Sequence, residues 1–186
     1  MKILVAITGA SGSPYAVSLL KLLRKLGHET ETIVSRAAEK VLPLETGLSV
    51  EELKKLTSRL YFEDEIAAAP ASGSARYQAM VVIPCTMGTL AAISHGLSKN
   101  LIVRAADVTL KERRPLILVV RETPLNQVHL KNMLAASEAG AIIYPAMPAF
   151  YHRPKTIEEM VDFFAARVAE FLGLEVANLK RWRGLT

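Results

Sequence analysis

Short apolar segments alternate with segments of helical periodicity along the whole 186-residue sequence. Three of the apolar segments, at residues 79–84, 116–120 and 141–144, carry no charged side chain. A strand that is apolar on both of its faces has to be covered on both, as in a parallel sheet between two layers of helices. The alternation therefore predicts an α/β fold with three α/β/α layers around a mainly parallel sheet.

We expect this sheet to belong to a single domain spanning residues 1–186, because no linker, repeat or change of composition divides the chain. Turn and capping residues mark where the other elements begin and end. Two further strands are predicted at 2–7 and 29–34. Helices are predicted at 14–26 (capped by Ser13), at 36–42 (ended by Pro43) and at 156–172. Another helix opens with a capping box at 49–52, one ends near Gly96, one precedes Leu116, and a long functional loop spans 63–76.

The composition excludes several classes of protein. Apolar residues make up 51% of the chain, which is too many for a disordered protein. No apolar run approaches the roughly 20 residues of a membrane-spanning helix, and the run at 2–7 is too short for a signal peptide. The single cysteine, Cys85, cannot form an internal disulfide and is expected to be a small core residue. We therefore expect a cytoplasmic protein without a structural metal and without a membrane partner.

Most of the net positive charge lies in one segment. Residues 99–121 contain six basic side chains and two acidic ones, a balance of +4 out of a formal net charge of +5. The segment ends with Arg121, directly after the apolar strand at 116–120. Ligands of open α/β sheets bind outside the carboxyl ends of the strands, so we expect this cluster to serve a phosphorylated ligand. A nucleic-acid partner is disfavoured because the charge is local and no aromatic side chain is interspersed with it.

Two turns of small residues follow apolar strands, at Thr8–Ser13 and at Pro84–Leu90. Small side chains let a ligand approach the backbone, and the helix that follows offers free N–H groups to an anion. The first turn lacks the GxGxxG pattern, and the strand at 29–34 ends without the acidic residue that a dinucleotide requires. The two turns therefore favour a phosphate or flavin site, and we expect the phosphate group of the ligand at residues 9–11.

Four further side chains are candidates, each with a structural alternative. Glu45 follows a helix ended by proline, a position typical of a solvated loop residue. Glu122 either serves a site or forms a structural ion pair with Arg121. Tyr151 lies in a proline-rich aromatic loop, where its hydroxyl could bind a phosphate. Arg167 lies among apolar helix residues and either packs there or points at an anion.

These motifs together resemble the UbiX family of flavin prenyltransferases over nearly the whole chain. The block Leu110–Pro115, Leu-Lys-Glu-Arg-Arg-Pro, is the most specific of them. The other segments that carry the resemblance are 8–12, 44–46, 71–74, 84–85 with 89–90, 104–107, 121–124, 150–154 and the tail Arg181-Trp182. The chain departs from the common pattern at Ser13, Gly47 and Met87.

The resemblance implies a Rossmann-like flavoprotein that assembles as a homododecamer, with sites between subunits. It implies that reduced FMN and dimethylallyl monophosphate are joined at flavin N5 and C6. The product, prenylated FMN, would serve a UbiD-type decarboxylase, for example in ubiquinone or aromatic acid metabolism.

The resemblance also implies residue roles. The residues implied to contact FMN are Gly9, Ala10, Ser11, Ser35, Thr86, Met87, Gly88, Thr89 and Arg121. Those implied to hold or adjoin the substrate phosphate are Tyr151, Arg167, Arg104, Lys111 and Glu122. Glu45 and Ser11 would handle protons at the flavin, Lys111 would stabilise charge on the departing phosphate, and Glu122 could protonate it. The sequence holds no DDxxD motif, so a metal-independent reaction is expected.

Two alternatives stay open at this point. The first is an FMN-dependent decarboxylase of an aromatic acid, such as 3-polyprenyl-4-hydroxybenzoate, or of a peptidyl cysteine. The second is a non-catalytic FMN carrier, which would need the two flavin turns but not the substrate residues together.

Overall fold

In the computed structural model, which describes residues 1–182 and 184, all the strands are parallel and join one sheet in the order β3-β2-β1-β4-β5-β6. The strands are β1 Lys2–Ile7, β2 Glu29–Val34, β3 Arg59–Phe62, β4 Ala79–Cys85, β5 Leu116–Val120 and β6 Ile142–Ile143. The helices are α1 Ser13–Lys25, α2 Arg36–Thr46, α3 Val50–Leu53, α4 Met87–Ser94, α5 Leu101–Lys111, α6 Gln127–Glu138 and α7 Ile157–Phe171. The predicted three-layer α/β architecture is confirmed.

The two faces of the sheet carry two separate cores. Ile3, Val5 and Ile7 of β1 pack with buried residues of α1 and α7. Leu4 and Ala6, which alternate with them along the strand, pack with α4, α5 and α6 on the other face. Because α5 and α7 cover opposite faces, side chains on these two helices are separated by the sheet within one chain.

Helix α2 is longer than the sequence predicts, since it continues through Pro43 to Thr46. Proline removes one backbone donor, but the helix keeps Ala38 and Leu42 buried in the core below it. The helix ends instead at Gly47, whose φ of 69° is left-handed and whose N–H donates to the Pro43 carbonyl. As a result, Glu45 lies in the last turn of a helix and not in a loop.

One other prediction is wrong, and two elements were not predicted. Ser13 does not cap α1, because Ser13 is the first residue of the helix and its N-cap is Gly12. The sequence pattern of strand β3 and of helix α6 is too weak for either element to be predicted. The predicted capping box of Ser49 and Glu52 is confirmed.

None of the described helices is long and apolar enough to cross a membrane.

Candidate functional site

The two small-residue turns lie side by side at the carboxyl edge of the sheet. The buried hydroxyl of Thr8 donates to the Pro84 carbonyl oxygen over 2.7 Å. The same oxygen atom of Thr8 accepts a hydrogen bond of 2.9 Å from the N–H of Thr86. These bonds tie the turn after β1 to the turn after β4, so a ligand above one turn is also above the other.

Glu45 reaches this edge from the last turn of α2. Its Oε2 accepts hydrogen bonds from the N–H of Gly12 (2.9 Å) and of Ser13 (2.8 Å), at the first turn of α1. Burial tends to raise the pKa of Glu45, but the Ser11 hydroxyl and these two N–H groups hold it below its usual value. The interpretation of Glu45 as a solvated loop residue is therefore wrong: it is an ionised carboxylate beside a predicted flavin turn.

This carboxylate changes where a phosphate can bind. Glu45 occupies the N-terminus of α1, and Glu63 occupies that of α2 by accepting from the Arg36 N–H over 2.9 Å. At α4 the hydroxyl of Thr86 accepts from the Thr89 N–H, and no carboxylate of the described residues contacts this terminus. A phosphate at residues 9–11 would meet this ionised carboxylate, so we now expect the phosphate at α4 instead of at residues 9–11.

Two glycines at this edge should respond differently to replacement by alanine, one by a loss of stability and the other by a loss of FMN binding. A Cβ added at Gly9 would lie 2.4 Å from the Cβ of Ala37, whereas one at Gly88 would meet nothing within 4 Å. We expect Gly9→Ala to reduce the free energy of unfolding by about 1–3 kcal/mol, because the turn must move away from α2. We expect Gly88→Ala to keep its stability and to weaken FMN binding about tenfold, because its methyl group enters the phosphate position.

Urea unfolding and FMN titration of both variants measure these two effects. Wild-type FMN affinity in Gly88→Ala would contradict the placement of the phosphate at α4.

Met87, Arg121 and Glu122 line one cavity of about 290 Å³ at the carboxyl end of β5. Apart from Thr123 the other walls are apolar, and they include Leu125 and Met133. Glu122 accepts from the neighbouring Thr123 N–H over 3.1 Å. Among the described residues there is no ion pair between Glu122 and Arg121, so the structural alternative for Glu122 is not supported there.

Cys85 takes no part in this cavity. It is fully buried, and burial raises the pKa of its thiol to about 12. A thiol that stays protonated is a poor nucleophile, in agreement with the predicted core role.

Two tyrosines belong to the site although the sequence did not single them out. Burial raises the pKa of Tyr15, and the charge of nearby Arg121 opposes that rise. Burial also raises the pKa of Tyr144, and Arg167 opposes that rise in the same way. Both tyrosine rings pack on Phe164, at centroid distances of 4.4 and 5.6 Å. No local sequence signal marks them, because each looks like an ordinary aromatic of an amphipathic element.

Tyr151 and Arg167 lie together on the α7 side of the sheet. Arg167 forms an ion pair with Glu170, one turn further along the helix. The hydroxyl of Tyr151 lies 3.4 Å from the carbonyl oxygen of Lys180, and its ring packs 5.6 Å from that of Phe163. Both side chains lie close enough to Tyr144 to affect the pKa of its hydroxyl, so they share one region of the molecule.

Arg104 and Lys111 lie elsewhere in the chain. Both are on α5, where Arg104 pairs with Asp107 at 2.8 Å and Lys111 pairs with Glu112 at 2.7 Å. Lys111 ends α5 just before β5 begins, so it lies at the amino edge of the sheet, while Arg121 lies at the carboxyl edge. The expected cluster of positive charge is therefore split within one chain, because a helix and a strand separate its ends.

The segment at 63–76, which we predicted to be a long functional loop, packs against α5. It contains short 3-10 turns and runs along α5, where the Arg104 side chain donates to the carbonyl of Ala71. Further on, Arg114 donates to the Gly73 carbonyl over 3.2 Å. A Cβ on Gly73 would lie 2.3 Å from the Glu112 carboxylate, so alanine at this position would displace the end of that side chain. Within one chain the loop packs along α5.

The fold and the two tied turns define a flavoprotein: residues 1–169 match the model of the Flavoprotein family. The chain is 47% identical to the flavin prenyltransferase UbiX of Deinococcus radiodurans, covering 98% of this chain and 93% of that protein. The chain belongs to the UbiX family of flavin prenyltransferases, as its motifs indicated.

Solved structures agree with this assignment. A dodecameric FMN-dependent UbiX-like decarboxylase from Escherichia coli O157:H7 has a TM-score of 0.95 and 44% identity, covering 99% of this chain and 100% of that chain. AnUbiX (PadA1), in complex with FMN and dimethylallyl pyrophosphate, has a TM-score of 0.96 and 42% identity, covering 100% of this chain and 98% of that chain.

Proposed function

We propose that this protein transfers the dimethylallyl group of dimethylallyl monophosphate to reduced FMN, at N5 and C6, and so makes prenylated FMN. The observation that carries the proposal is an ionised Glu45 at the flavin turns together with Arg167 and Tyr151 near Tyr144, just after β6. A flavin carrier needs only the first of these, whereas a transferase also needs a grip on the second substrate's phosphate.

We propose that FMN lies along the edge formed by the two tied turns. Its phosphate is placed at Thr86–Thr89, where no carboxylate of the described residues contacts the N-terminus of α4. The flavin ring then extends past Gly9–Ser11 toward Arg121. This direction brings the ring to Glu45 and to the exposed Ser11, as proton handling at N5 requires.

The chain's own residues then have separable tasks. Arg167 and Tyr151 bind the phosphate of dimethylallyl monophosphate and offset the charge that grows on it as the allylic C–O bond breaks. Reduced FMN supplies the nucleophilic atoms. Ser11, whose hydroxyl lies beside the ionised Glu45, can pass to that carboxylate a proton released at the flavin. We assign to Glu122 the protonation of the departing phosphate.

The substrate site is proposed to be shared between subunits. Arg104 and Lys111 lie across the sheet from Arg167, so they can reach the same phosphate only from another copy of the chain. The E. coli relative is dodecameric, and we propose the same assembly here. Prenylated FMN is proposed to pass to a UbiD-type decarboxylase in the cytoplasm.

A mass-spectrometric assay tests the proposed reaction against its alternatives. Incubation with reduced FMN and dimethylallyl monophosphate is expected to yield a flavin whose mass is higher by one C5H8 unit. We expect the yield to be unchanged by EDTA, since the described residues contain no group of side chains that could hold a metal ion.

Three results would contradict this proposal. Loss of turnover with EDTA, restored by magnesium, would overturn the metal-independent mechanism. Bound but unchanged FMN would indicate a carrier. Release of CO2 from an aromatic acid, without a change in flavin mass, would indicate a decarboxylase, the activity in the name of the E. coli relative.

A further inference from the structure

Glu170 holds an unusual position, because it contacts two arginines at once. It pairs with Arg167 on its own helix, and its second carboxylate oxygen accepts from Nε of Arg181, in the C-terminal tail, over 2.8 Å. The Glu170 side chain is 21% exposed, while those of Arg167 and Arg181 are 43% and 65% exposed. The carboxylate is thus fixed between two more exposed cations.

The rest of the tail closes around the same place. The Nζ atom of Lys180 lies 3.4 Å from the carbonyl oxygen of His152. The carbonyl oxygen of Lys180 lies 3.4 Å from the Tyr151 hydroxyl. The ring of Trp182 packs 5.9 Å from that of Tyr151. Glu170 therefore joins α7 to the tail, next to contacts between the tail and the loop of Tyr151 and His152.

The charges of this cluster oppose each other. Two arginines and one glutamate leave one net positive charge, and the negative charge touches the arginine that is proposed to bind phosphate. A carboxylate in that position repels an incoming anion, and the repulsion increases with the charge of the anion. A diphosphate carries more negative charge than a monophosphate and is therefore penalised more.

We propose that Glu170 is a specificity-determining residue that makes the Arg167 site discriminate against diphosphates in favour of monophosphates. This proposal rests on the proposed function in placing the substrate phosphate at Arg167. Glu170 acts through Arg167 and touches neither the flavin nor the allylic carbon. It is a positioning residue and not a catalytic one.

Binding of inorganic phosphate and pyrophosphate to the FMN-loaded protein tests this without requiring any prenyl transfer. Isothermal titration calorimetry of Glu170→Gln is expected to show about tenfold tighter pyrophosphate binding and only about threefold tighter phosphate binding. The matched control is Glu158→Gln, which removes a carboxylate from the other end of the same helix and is expected to change neither constant.

A second variant changes the charge in the other direction. Arg181→Ala leaves Glu170 to Arg167 alone, so both anions should bind more weakly and pyrophosphate should lose the larger factor. This variant keeps the test decisive even where Glu170→Gln fails to fold. Melting temperature and oligomer mass are measured on the same samples.

Several outcomes would overturn the proposal. An unchanged ratio of the two dissociation constants in either folded variant removes Glu170 from specificity. Weaker binding of both anions by Glu170→Gln makes Glu170 a support for Arg167 instead. Wild-type protein that binds neither anion at Arg167, judged against Arg167→Ala, shows that the site is misplaced. If the ratio of the dissociation constants shifts but the prenyl transfer assay shows no product, the proposed function is contradicted and this inference stands.

Discussion

Glu45→Gln is expected to leave FMN bound and to slow the formation of prenylated FMN by about 100-fold or more, the usual range for loss of a positioned proton acceptor. The amide keeps the size of the side chain and can still accept from the N–H groups of Gly12 and Ser13. It cannot take a proton from Ser11. Single-turnover kinetics with preloaded reduced FMN measure the effect apart from flavin binding.

The matched control is Glu39→Gln, on the same helix but in its first turn. It should keep the wild-type rate. Unchanged single-turnover kinetics in Glu45→Gln would remove Glu45 from the mechanism, whereas equal slowing in both variants would indicate a general effect of the charge of α2.

The pH dependence of stability gives an independent readout of Glu45. Its pKa is lower in the folded protein than in the unfolded chain, where it is about 4.3. A carboxyl of this kind stabilises the fold above its unfolded pKa and loses that contribution as the pH falls through its folded pKa. The stability difference between wild type and Glu45→Gln should therefore be full at pH 7 and should shrink below about pH 4. Urea unfolding at the two pH values measures it.

Arg167→Ala is expected to weaken dimethylallyl monophosphate binding by about 10- to 100-fold while FMN affinity changes little, because a charge-assisted contact to phosphate is lost. Arg104→Ala should have a similar effect if both side chains bind one phosphate. Titration of the FMN-loaded variants measures this. If Arg167 only supports packing, its variant would instead lose melting temperature or assembly and keep its substrate affinity.

The pair of variants also tests whether the site is shared. A shared site takes Arg104 from one copy and Arg167 from another. Such a site is intact when an Arg167→Ala chain supplies Arg104 and an Arg104→Ala chain supplies Arg167. Random co-assembly of the two weakly binding chains should then restore about a quarter of the wild-type sites. Co-expression with two affinity tags, followed by the product assay, checks this. Activity no higher than in either variant alone would place both arginines in one chain's site.

The local pattern of the sequence was sufficient for the architecture. The continuous apolar runs predicted β4 and β5 and therefore a covered parallel sheet, because a strand without polar side chains has no face to expose to water. The small-residue turns after β1 and β4 are adjacent as predicted, since carboxyl ends of neighbouring parallel strands share one edge. The family motifs identified the flavin and its prenyl transfer.

Tertiary structure decided what the local pattern could not. Pro43 predicted a helix end, but burial of Leu42 and the left-handed Gly47 extend α2 by a turn and bring Glu45 to the N-terminus of α1. The charge around Arg104 looked like one cluster because its members are close in sequence. In space, α5 lies across the sheet from Arg167. Sequence determined which side chains are present and which segments are strands. Packing determined which carboxylate meets which helix end and on which side of the sheet each arginine lies.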